Sequence, residues 1–249
     1  MNKTKTPKDK WSYSRASTFA QCPRRYKLRY IDKLETLPDQ DPQNALYLGT
    51  AIHKGLEKDV EAAVESYKSN YYCLGTENYN EIIKLEALIP KAKAKLPDGQ
   101  HEVKIENKAY IGYIDLLADD WILDFKYSNN RDGYLESPQI HLYKFFADRP
   151  IGRLSYVFIP KINIRQGKNE TITEFRNRLN ENLEATEVDI VDVDYDERKV
   201  ETWLDWVHAA QHEKEFPKNE SRLCNWCCYK RYCESDGKED WMILGRVSC

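Results

Sequence analysis

The stretch IGYIDLLADDWILDFKY, residues 111–127, decides the fold that the sequence predicts. It belongs to a longer segment, residues 102–128, in which apolar and polar side chains alternate and Ile, Val, Tyr and Phe are frequent. Alternation of this kind is typical of β-strands. The segment therefore predicts three consecutive strands, with turns near Asn107 and at Asp119-Asp120.

The last two strands bring two carboxylates and a lysine together. If these strands are adjacent, antiparallel and joined by a tight turn, Asp115 and Asp124 meet at one end of the sheet. Because neighbouring side chains of a strand point to opposite faces, Asp124 and Lys126 share a face while Phe125 points into the core. An ordinary surface ion pair is the alternative interpretation of these three charged residues.

Two carboxylates and a lysine at one place suit metal-dependent hydrolysis of a phosphate ester. Carboxylate and carbonyl oxygens are the ligands that Mg²⁺ prefers. A metal held by them can lower the pKa of a bound water and neutralise charge on a phosphate oxygen. Lys126 beside it can orient or deprotonate that water, provided that its surroundings lower its own pKa.

The remaining segments predict an α/β fold with a mixed central sheet flanked by helices. A first helix begins at Ser14 and is interrupted near Cys22, because Pro23 cannot continue a helix. Residues 1–13 are predicted to be a polar, flexible lead-in. Further helices are predicted at residues 45–67, 79–95, 135–147, 174–185 and 197–214. Further strands are predicted at residues 153–162 and 187–195, and the tail, residues 216–233, is irregular and rich in cysteine.

Composition limits the class of protein. The 249 residues suit a single domain, and the formal net charge of −3 means that nucleic acid would be bound by local patches. Two basic groups are candidates, one in the first helix and one near residue 93: Arg24, Arg25, Lys27 and Arg29, and Lys91, Lys93 and Lys95. Either group is also compatible with a plain solvated face.

The cellular location of the protein is inferred from two kinds of segment that the sequence lacks. No apolar stretch approaches the roughly 18 residues needed to span a bilayer. The N-terminus has no apolar core for export. We therefore expect an intracellular, cytoplasmic protein (in the host cell if it is viral) without a membrane partner. In that reducing compartment, seven cysteines argue against a disulfide framework.

The segments GYIDLL and WILDFK resemble the PD-(D/E)XK nucleases of the RecB-like group, which carry G-x-(I/V)-D followed by (D/E)-x-K on the next strand. Two further elements occur in the family's order. Residues 49–53, GTAIH, resemble its G-x-x-x-H helix, and residues 139–143, QIHLY, resemble its Q-x-x-x-Y helix. The chain has Asp at position 124, where Glu is the commoner residue.

The resemblance implies a restriction-endonuclease-like core over residues 45–160. It also implies roles for individual residues. Mg²⁺ or Mn²⁺ would be bound by His53, Asp115, Asp124 and the carbonyl of Phe125. Lys126 would act on the attacking water, Gln139 and Tyr143 would help to position DNA and the active site, and Glu102 would support the site.

Four cysteines form a second group. Cys224, Cys227 and Cys233 are spaced C-x2-C-x5-C, and Cys22 lies about 200 residues earlier in FAQCPRRY. Four thiolates suit an iron–sulfur cluster or Zn²⁺, and buried free thiols are a third interpretation. Cys228 could replace a neighbour in ligation. Cys73 and Cys249 are expected to be incidental.

This cysteine pattern resembles the iron–sulfur nucleases, namely the CRISPR-associated Cas-four family, the AddB nuclease domain and related viral exonucleases. The resemblance implies a [4Fe–4S] lobe formed by Cys22 and residues 224–233. Such a lobe would staple the two ends of the chain and hold Arg24, Arg25 and Lys27 where they could grip DNA phosphates.

The sequence thus predicts a metal-dependent DNA nuclease, acting as an exonuclease on single-stranded DNA or DNA ends. No G-x-x-x-x-G-K-[ST] phosphate loop is present, so a helicase, an annealing protein or an integrase is expected as partner. DNA recombination and repair, viral DNA metabolism and CRISPR adaptation all fit this activity. The alternative is a non-catalytic DNA-binding adaptor subunit of a helicase or integrase complex.

Overall fold

The strands predicted from the alternation form the centre of the fold. The computed structural model describes residues 10–246, so the predictions for residues 1–9 and for Cys249 lie outside the described part of the chain. The strands are, in chain order, β1 (Leu34–Thr36), β2 (Gln100–Glu106), β3 (Ile111–Ala118), β4 (Trp121–Tyr127), β5 (Arg153–Ile159), β6 (Asp189–Asp192) and β7 (Ile243–Arg246). The three predicted strands and both predicted turns are confirmed.

Helices surround this sheet. The α-helices are, in chain order, α1 (Tyr13–Gln21), α2 (Pro23–Tyr26), α3 (Ala45–Glu57), α4 (Val60–Lys68), α5 (Thr76–Lys93), α6 (Arg131–Leu135), α7 (Gln139–Phe146), α8 (Ile172–Ala185), α9 (Glu197–His212) and α10 (Lys230–Glu234). A π-helical turn over Lys27–Ile31 and a 3₁₀ turn over Arg222–Trp226 complete the helical segments. No helix within residues 10–246 is long and apolar enough to cross a membrane.

The main sheet has the strand order β2-β3-β4-β5-β6. Its pairs are antiparallel except for β4 and β5, which are parallel. A parallel pair needs a crossover connection, and α6 and α7 lie within it. The predicted mixed sheet flanked by helices is confirmed, and it is consistent with a restriction-endonuclease-like core.

Two apolar layers cover the sheet. One layer joins α3, α4, α5 and α8 to the face that carries Leu123 and Phe125. The other joins α1, α7 and α9 to the face that carries Ile114, Ile122 and Tyr156. Because both faces are covered, β4 and β5 are buried along most of their length, as expected for parallel strands.

Three predicted segments differ from the structure. The helix predicted over residues 45–67 is two helices, because Asp59 starts α4 by accepting a hydrogen bond from the Ala62 N–H at 2.8 Å. The helix predicted over residues 135–147 is also divided, and Pro138 starts its second part, α7. The lead-in prediction is wrong for residues 11–13, because Trp11 is buried and bridges to Tyr110.

The two ends of the described chain form a lobe beside the sheet. The predicted helix break at Cys22 is confirmed, and its Sγ accepts the Arg25 N–H at the start of α2. The tail, residues 216–233, is more regular than predicted, because it contains the 3₁₀ turn over Arg222–Trp226 and most of α10. Beyond it, β7 pairs with β1. Asn219 donates a hydrogen bond to the Gln21 carbonyl at 2.8 Å, and the Tyr229 hydroxyl donates one to the Leu34 carbonyl at 2.8 Å.

Candidate active site and cysteine-lined cavity

The candidate active site lies where β3 and β4 separate. Their antiparallel ladder runs from the Ala118–Trp121 pair to the Leu116–Leu123 pair and then stops. At the next position, the Asp115 carboxylate takes the place of a backbone partner, because its Oδ2 accepts the Phe125 N–H at 2.6 Å. A side chain thus takes the place of a strand partner at Phe125, and the ladder between β3 and β4 does not continue there.

The strand on the other side of Asp115 is distorted at the same level. β2 and β3 pair at His101–Leu116 and at Val103–Ile114, and Glu102 lies between these pairs with a left-handed φ of 52°. A non-glycine residue in this region costs about 1–3 kcal/mol, and such strain is concentrated at functional sites. Glu102 therefore faces Asp115 from a strained position.

His53 closes the group from the helical layer. Asn44 starts α3 by accepting the N–H groups of Leu46 and Tyr47, and burial of its apolar face fixes the helix against the sheet. His53 Nδ1 lies 3.2 Å from Asp115 Oδ1, and its Nε2 lies 3.2 Å from the Phe125 carbonyl oxygen. The imidazole thus contacts two of the predicted metal ligands.

Within residues 10–246, one group of three His, Cys, Asp or Glu residues has ligand atoms that all lie within 4.8 Å of one another. It consists of His53, Glu102 and Asp115. Asp124, a predicted ligand, is outside this group. Its carboxylate has no exposed surface and is ion-paired with Lys126 instead.

Lys126 connects Asp124 to α7. Its Nζ donates a hydrogen bond to Gln139 Oε1 at 3.0 Å, and Gln139 Nε2 donates one to the Tyr143 hydroxyl at 2.8 Å. The structure thus places the predicted residues Asp124, Lys126, Gln139 and Tyr143 in one continuous chain of contacts.

Burial and charge set the protonation of this site. Burial opposes charge on Asp115 and on His53, but their attraction outweighs it, so the pKa of Asp115 is lowered and that of His53 is raised. Burial raises the pKa of Asp124 to about 6, against the attraction of Lys126. Burial would lower the pKa of Lys126, but Asp124 and then Asp115 outweigh it and raise that pKa.

The raised pKa of Lys126 bears on its predicted role. Deprotonating a water requires a lysine pKa that is lowered, whereas these surroundings keep the side chain as an ammonium ion. The arrangement therefore suits a lysine that donates hydrogen bonds and positive charge to a phosphate or that orients a water.

Tyr110, Tyr134 and Tyr156 also lie at this site and escaped the sequence analysis, which named only Tyr143 among its tyrosines. The rings of Tyr134 and Tyr156 have their centroids 5.2 and 5.7 Å from Lys126 Nζ. Burial, and after it the Asp124 carboxylate, raises the pKa of Tyr110, Tyr143 and Tyr156. Because these tyrosines come from separate elements, no local sequence pattern predicts that they lie together.

Lysines of both predicted basic groups make contacts within the protein. Lys91 Nζ donates to the carbonyls of Leu183 and Glu184, at the end of α8, and Lys95 Nζ donates to the Val188 carbonyl. These lysines are therefore engaged in holding α5 to α8. In the first helix, Lys27 is ion-paired with Asp32 at 2.7 Å.

The four predicted cysteines line one cavity of about 270 Å³ in the lobe, together with basic residues that include Arg25 and Lys218. Cys228 and Cys73 are exposed and do not line it. Burial raises the pKa of the Cys227 and Cys233 thiols. No three of these sulfurs lie within 4.8 Å of one another, since the group of His53, Glu102 and Asp115 alone meets that limit among residues 10–246.

This architecture defines a class of protein. A mixed sheet in which a strand hairpin presents two acidic residues and a lysine, with an imidazole beside them, suits metal-assisted hydrolysis of a phosphate ester. A protein-family model described as the PD-(D/E)XK nuclease superfamily matches residues 10–234. The chain belongs to the PD-(D/E)XK nuclease superfamily. A search of curated proteins found no match.

The glycine of the G-x-I-D segment yields a prediction about stability. A Cβ added to Gly112 would lie 2.5 Å from the Tyr110 hydroxyl oxygen and 2.9 Å from two ring carbons. Because the ring of Tyr110 is rigid and buried, Gly112→Ala should lower the free energy of unfolding by about 1–3 kcal/mol, measured by urea denaturation.

Gly49 provides the matched control, since no atom lies within 4 Å of a Cβ built there. Gly49→Ala replaces a helical glycine and should raise the free energy of unfolding by roughly 0.5–1 kcal/mol. A Gly112→Ala protein as stable as the unsubstituted chain would contradict the packing explanation.

Proposed function

We propose that this protein is a Mg²⁺- or Mn²⁺-dependent deoxyribonuclease that acts as an exonuclease on single-stranded DNA or DNA ends. The observation that carries the proposal is the meeting of His53, Glu102 and Asp115 beside the Phe125 carbonyl, next to the Asp124–Lys126 pair. DNA recombination, repair, viral DNA metabolism or CRISPR adaptation would use this activity, with a helicase, annealing protein or integrase supplying the strand.

The donor set fits a hard divalent cation. Carboxylate oxygens, a backbone carbonyl and one imidazole are suitable ligands for Mg²⁺ and Mn²⁺. We assign His53, Asp115 and the Phe125 carbonyl as ligands, with Glu102 added to them. Asp124 would also bind the metal if its carboxylate turned away from Lys126. The bound metal supplies an activated water and neutralises charge on the scissile phosphate.

The neighbouring residues bind and orient the phosphate. The Lys126 ammonium donates to a non-bridging phosphate oxygen, and Gln139 holds the ammonium in place through its Oε1. Tyr143 in turn fixes the Gln139 amide. Tyr143 is buried and Lys126 and Gln139 are partly buried, so water competes less with the phosphate for their hydrogen bonds than it would at an exposed site. A non-catalytic adaptor would have no need for this set of residues.

Replacement of a single carboxylate tests the assignment. Asp124→Asn keeps the shape of the side chain and removes its charge. We expect at least about a hundredfold slower Mn²⁺-dependent cleavage of end-labelled DNA, because the metal contributes several kcal/mol of charge stabilisation. The fold, read by circular dichroism, should be retained, although loss of the buried ion pair with Lys126 lowers the free energy of unfolding.

The matched control is Asp148→Asn, an exposed aspartate outside the site. It should cleave DNA like the unsubstituted protein. Equal cleavage by Asp124→Asn and Asp148→Asn would refute the proposed active site, and cleavage by the unsubstituted protein that persists with a chelator would refute its dependence on metal.

Metal affinity should depend on pH. The pKa of Asp124 is raised to about 6 and that of His53 is also raised, so both groups bind protons as the pH falls toward 6. A proton on either ligand competes with the cation. We expect Mn²⁺ affinity, measured by calorimetry from pH 8 to 5, to fall steeply in the acidic half.

Asp124→Asn and His53→Gln should each reduce the number of protons that compete with Mn²⁺ by about one, because each removes one titrating ligand. The affinity of each variant should therefore fall less steeply as the pH decreases. Asp148→Asn should follow the unsubstituted curve. A Mn²⁺ affinity that is constant across this range would contradict the participation of both residues.

We further propose that Cys22, Cys224, Cys227 and Cys233 bind a [4Fe–4S] cluster. Their common cavity supports this, and so does the presence of a single C-x2-C pair, because zinc ribbons usually have two. The role of the cluster would be to staple residues near 22 to residues near 227.

Anaerobically purified protein should be brown, with about four iron atoms per chain. Cys22→Ser should lose the colour and most of the iron, whereas Cys228→Ser and Cys73→Ser should keep both, since those thiols are exposed and outside the cavity. A colourless protein with one Zn²⁺ per chain would overturn the cluster and support a zinc staple.

A further inference from the structure

We propose that Tyr113 and Lys104 form a surface site, here called the stacking step, that binds single-stranded DNA. It lies beside His53, Glu102 and Asp115, here called the metal-ligand group. Tyr113 stacks on an unpaired base, and Lys104 contacts an adjacent phosphate. The inference rests on the proposed nuclease function and deepens it, because it names the residues that favour a single strand over a duplex.

Exposure singles out Tyr113. The five residues that follow it in β3 are buried, whereas the Tyr113 side chain is 47% exposed. An aromatic ring with a free face is the surface on which nucleotide bases stack without regard to sequence. Isolated exposed aromatics are common on proteins, so the position of this ring has to supply the rest of the argument.

Tyr113 points toward the metal-ligand group. Ile114 packs into the layer formed by α1, α7 and α9, so its neighbour Tyr113 faces the opposite side, which is the side of α3. His53 reaches Asp115 from α3. Two residues of a strand span about 7 Å. The ring thus lies about one nucleotide away from a phosphate bound beside the metal-ligand group.

Lys104 adds a cation at the same step. It is the register partner of Tyr113 on β2, so the two side chains share a face with their Cβ atoms about 5 Å apart. The Lys104 ammonium is about half exposed and is ion-paired with Glu106 at 2.6 Å. A surface pair of this kind contributes at most about 1 kcal/mol, so a DNA phosphate can replace the carboxylate.

The combination of ring and cation selects the form of the substrate. In a duplex, the bases are already stacked and paired, so a base reaches Tyr113 only after it has been unpaired. A single strand pays no such cost. The step therefore lowers the KM for single-stranded DNA, while the metal, Asp124 and Lys126 act on either form.

The test compares Tyr113→Ala, Tyr113→Phe and a control, Tyr72→Ala, whose ring is 81% exposed in the loop between α4 and α5. With a single-stranded oligonucleotide and Mn²⁺, Tyr113→Ala should raise KM by about tenfold, the scale of losing one stacked base, and change kcat little. Tyr113→Phe keeps the ring and should behave like the unsubstituted protein, as should Tyr72→Ala.

Binding of a fluorescent single strand, measured by anisotropy with a chelator present, provides a readout that does not need cleavage. Tyr113→Ala should bind about tenfold more weakly. Lys104→Ala should reduce the salt dependence of binding by about one phosphate contact, and its control Lys68→Ala, an exposed lysine of α4, should not.

The outcomes separate the two proposals. Unsubstituted protein that binds DNA but does not cleave it would refute the nuclease function, while the loss of binding in Tyr113→Ala would still support the stacking step. Cleavage with equal KM and equal binding for Tyr113→Ala and Tyr72→Ala would refute the stacking step alone. Tyr113→Phe as weak as Tyr113→Ala would also refute it, because the hydroxyl and not the ring would then be responsible.

Discussion

The insertion of the Asp115 carboxylate between β3 and β4 is the contact on which the site depends. Because Asp115 Oδ2 accepts the Phe125 N–H, the ladder ends at Leu116–Leu123 and the Phe125 carbonyl is left beside His53. A buried backbone donor without a partner would cost about 1–3 kcal/mol, so the carboxylate both opens the sheet and satisfies it. The acid that helps to form the proposed metal site also satisfies the backbone where the ladder ends.

Charge neutralisation explains how so many ionisable groups are tolerated at the centre of the protein. Asp115 is balanced by His53 and Asp124 by Lys126, and Gln139 satisfies a further hydrogen of the ammonium. Removing one partner of a buried ion pair leaves the other charge buried without compensation, which is strongly destabilising. A divalent cation adds positive charge to a site that already holds more acid than base when Glu102 is included, which makes its binding favourable.

The lobe solves a different problem, the distance in sequence between the two ends of the chain. α1 packs on α9, and the β1–β7 pair and the hydrogen bond from Tyr229 to Leu34 join segments about 200 residues apart. Closing so long a loop costs conformational entropy that a few hydrogen bonds offset poorly. The convergence of four cysteines at this junction places potential ligands where a crosslink stabilises most.

The sequence by itself determined the strand hairpin, the break at Cys22, the mixed sheet and the residue types of the site, because alternation, proline and motif spacing are local properties of the chain. Only the tertiary structure decided that Glu102 meets His53 and Asp115, that Asp124 pairs with Lys126, and that tyrosines from α6 and β5 lie beside Lys126. It also decided that Lys91 and Lys95 hold α5 to α8. The reason is physical: a pattern within a strand fixes which face a side chain takes, whereas its partners and its pKa depend on elements that packing brings from distant parts of the chain.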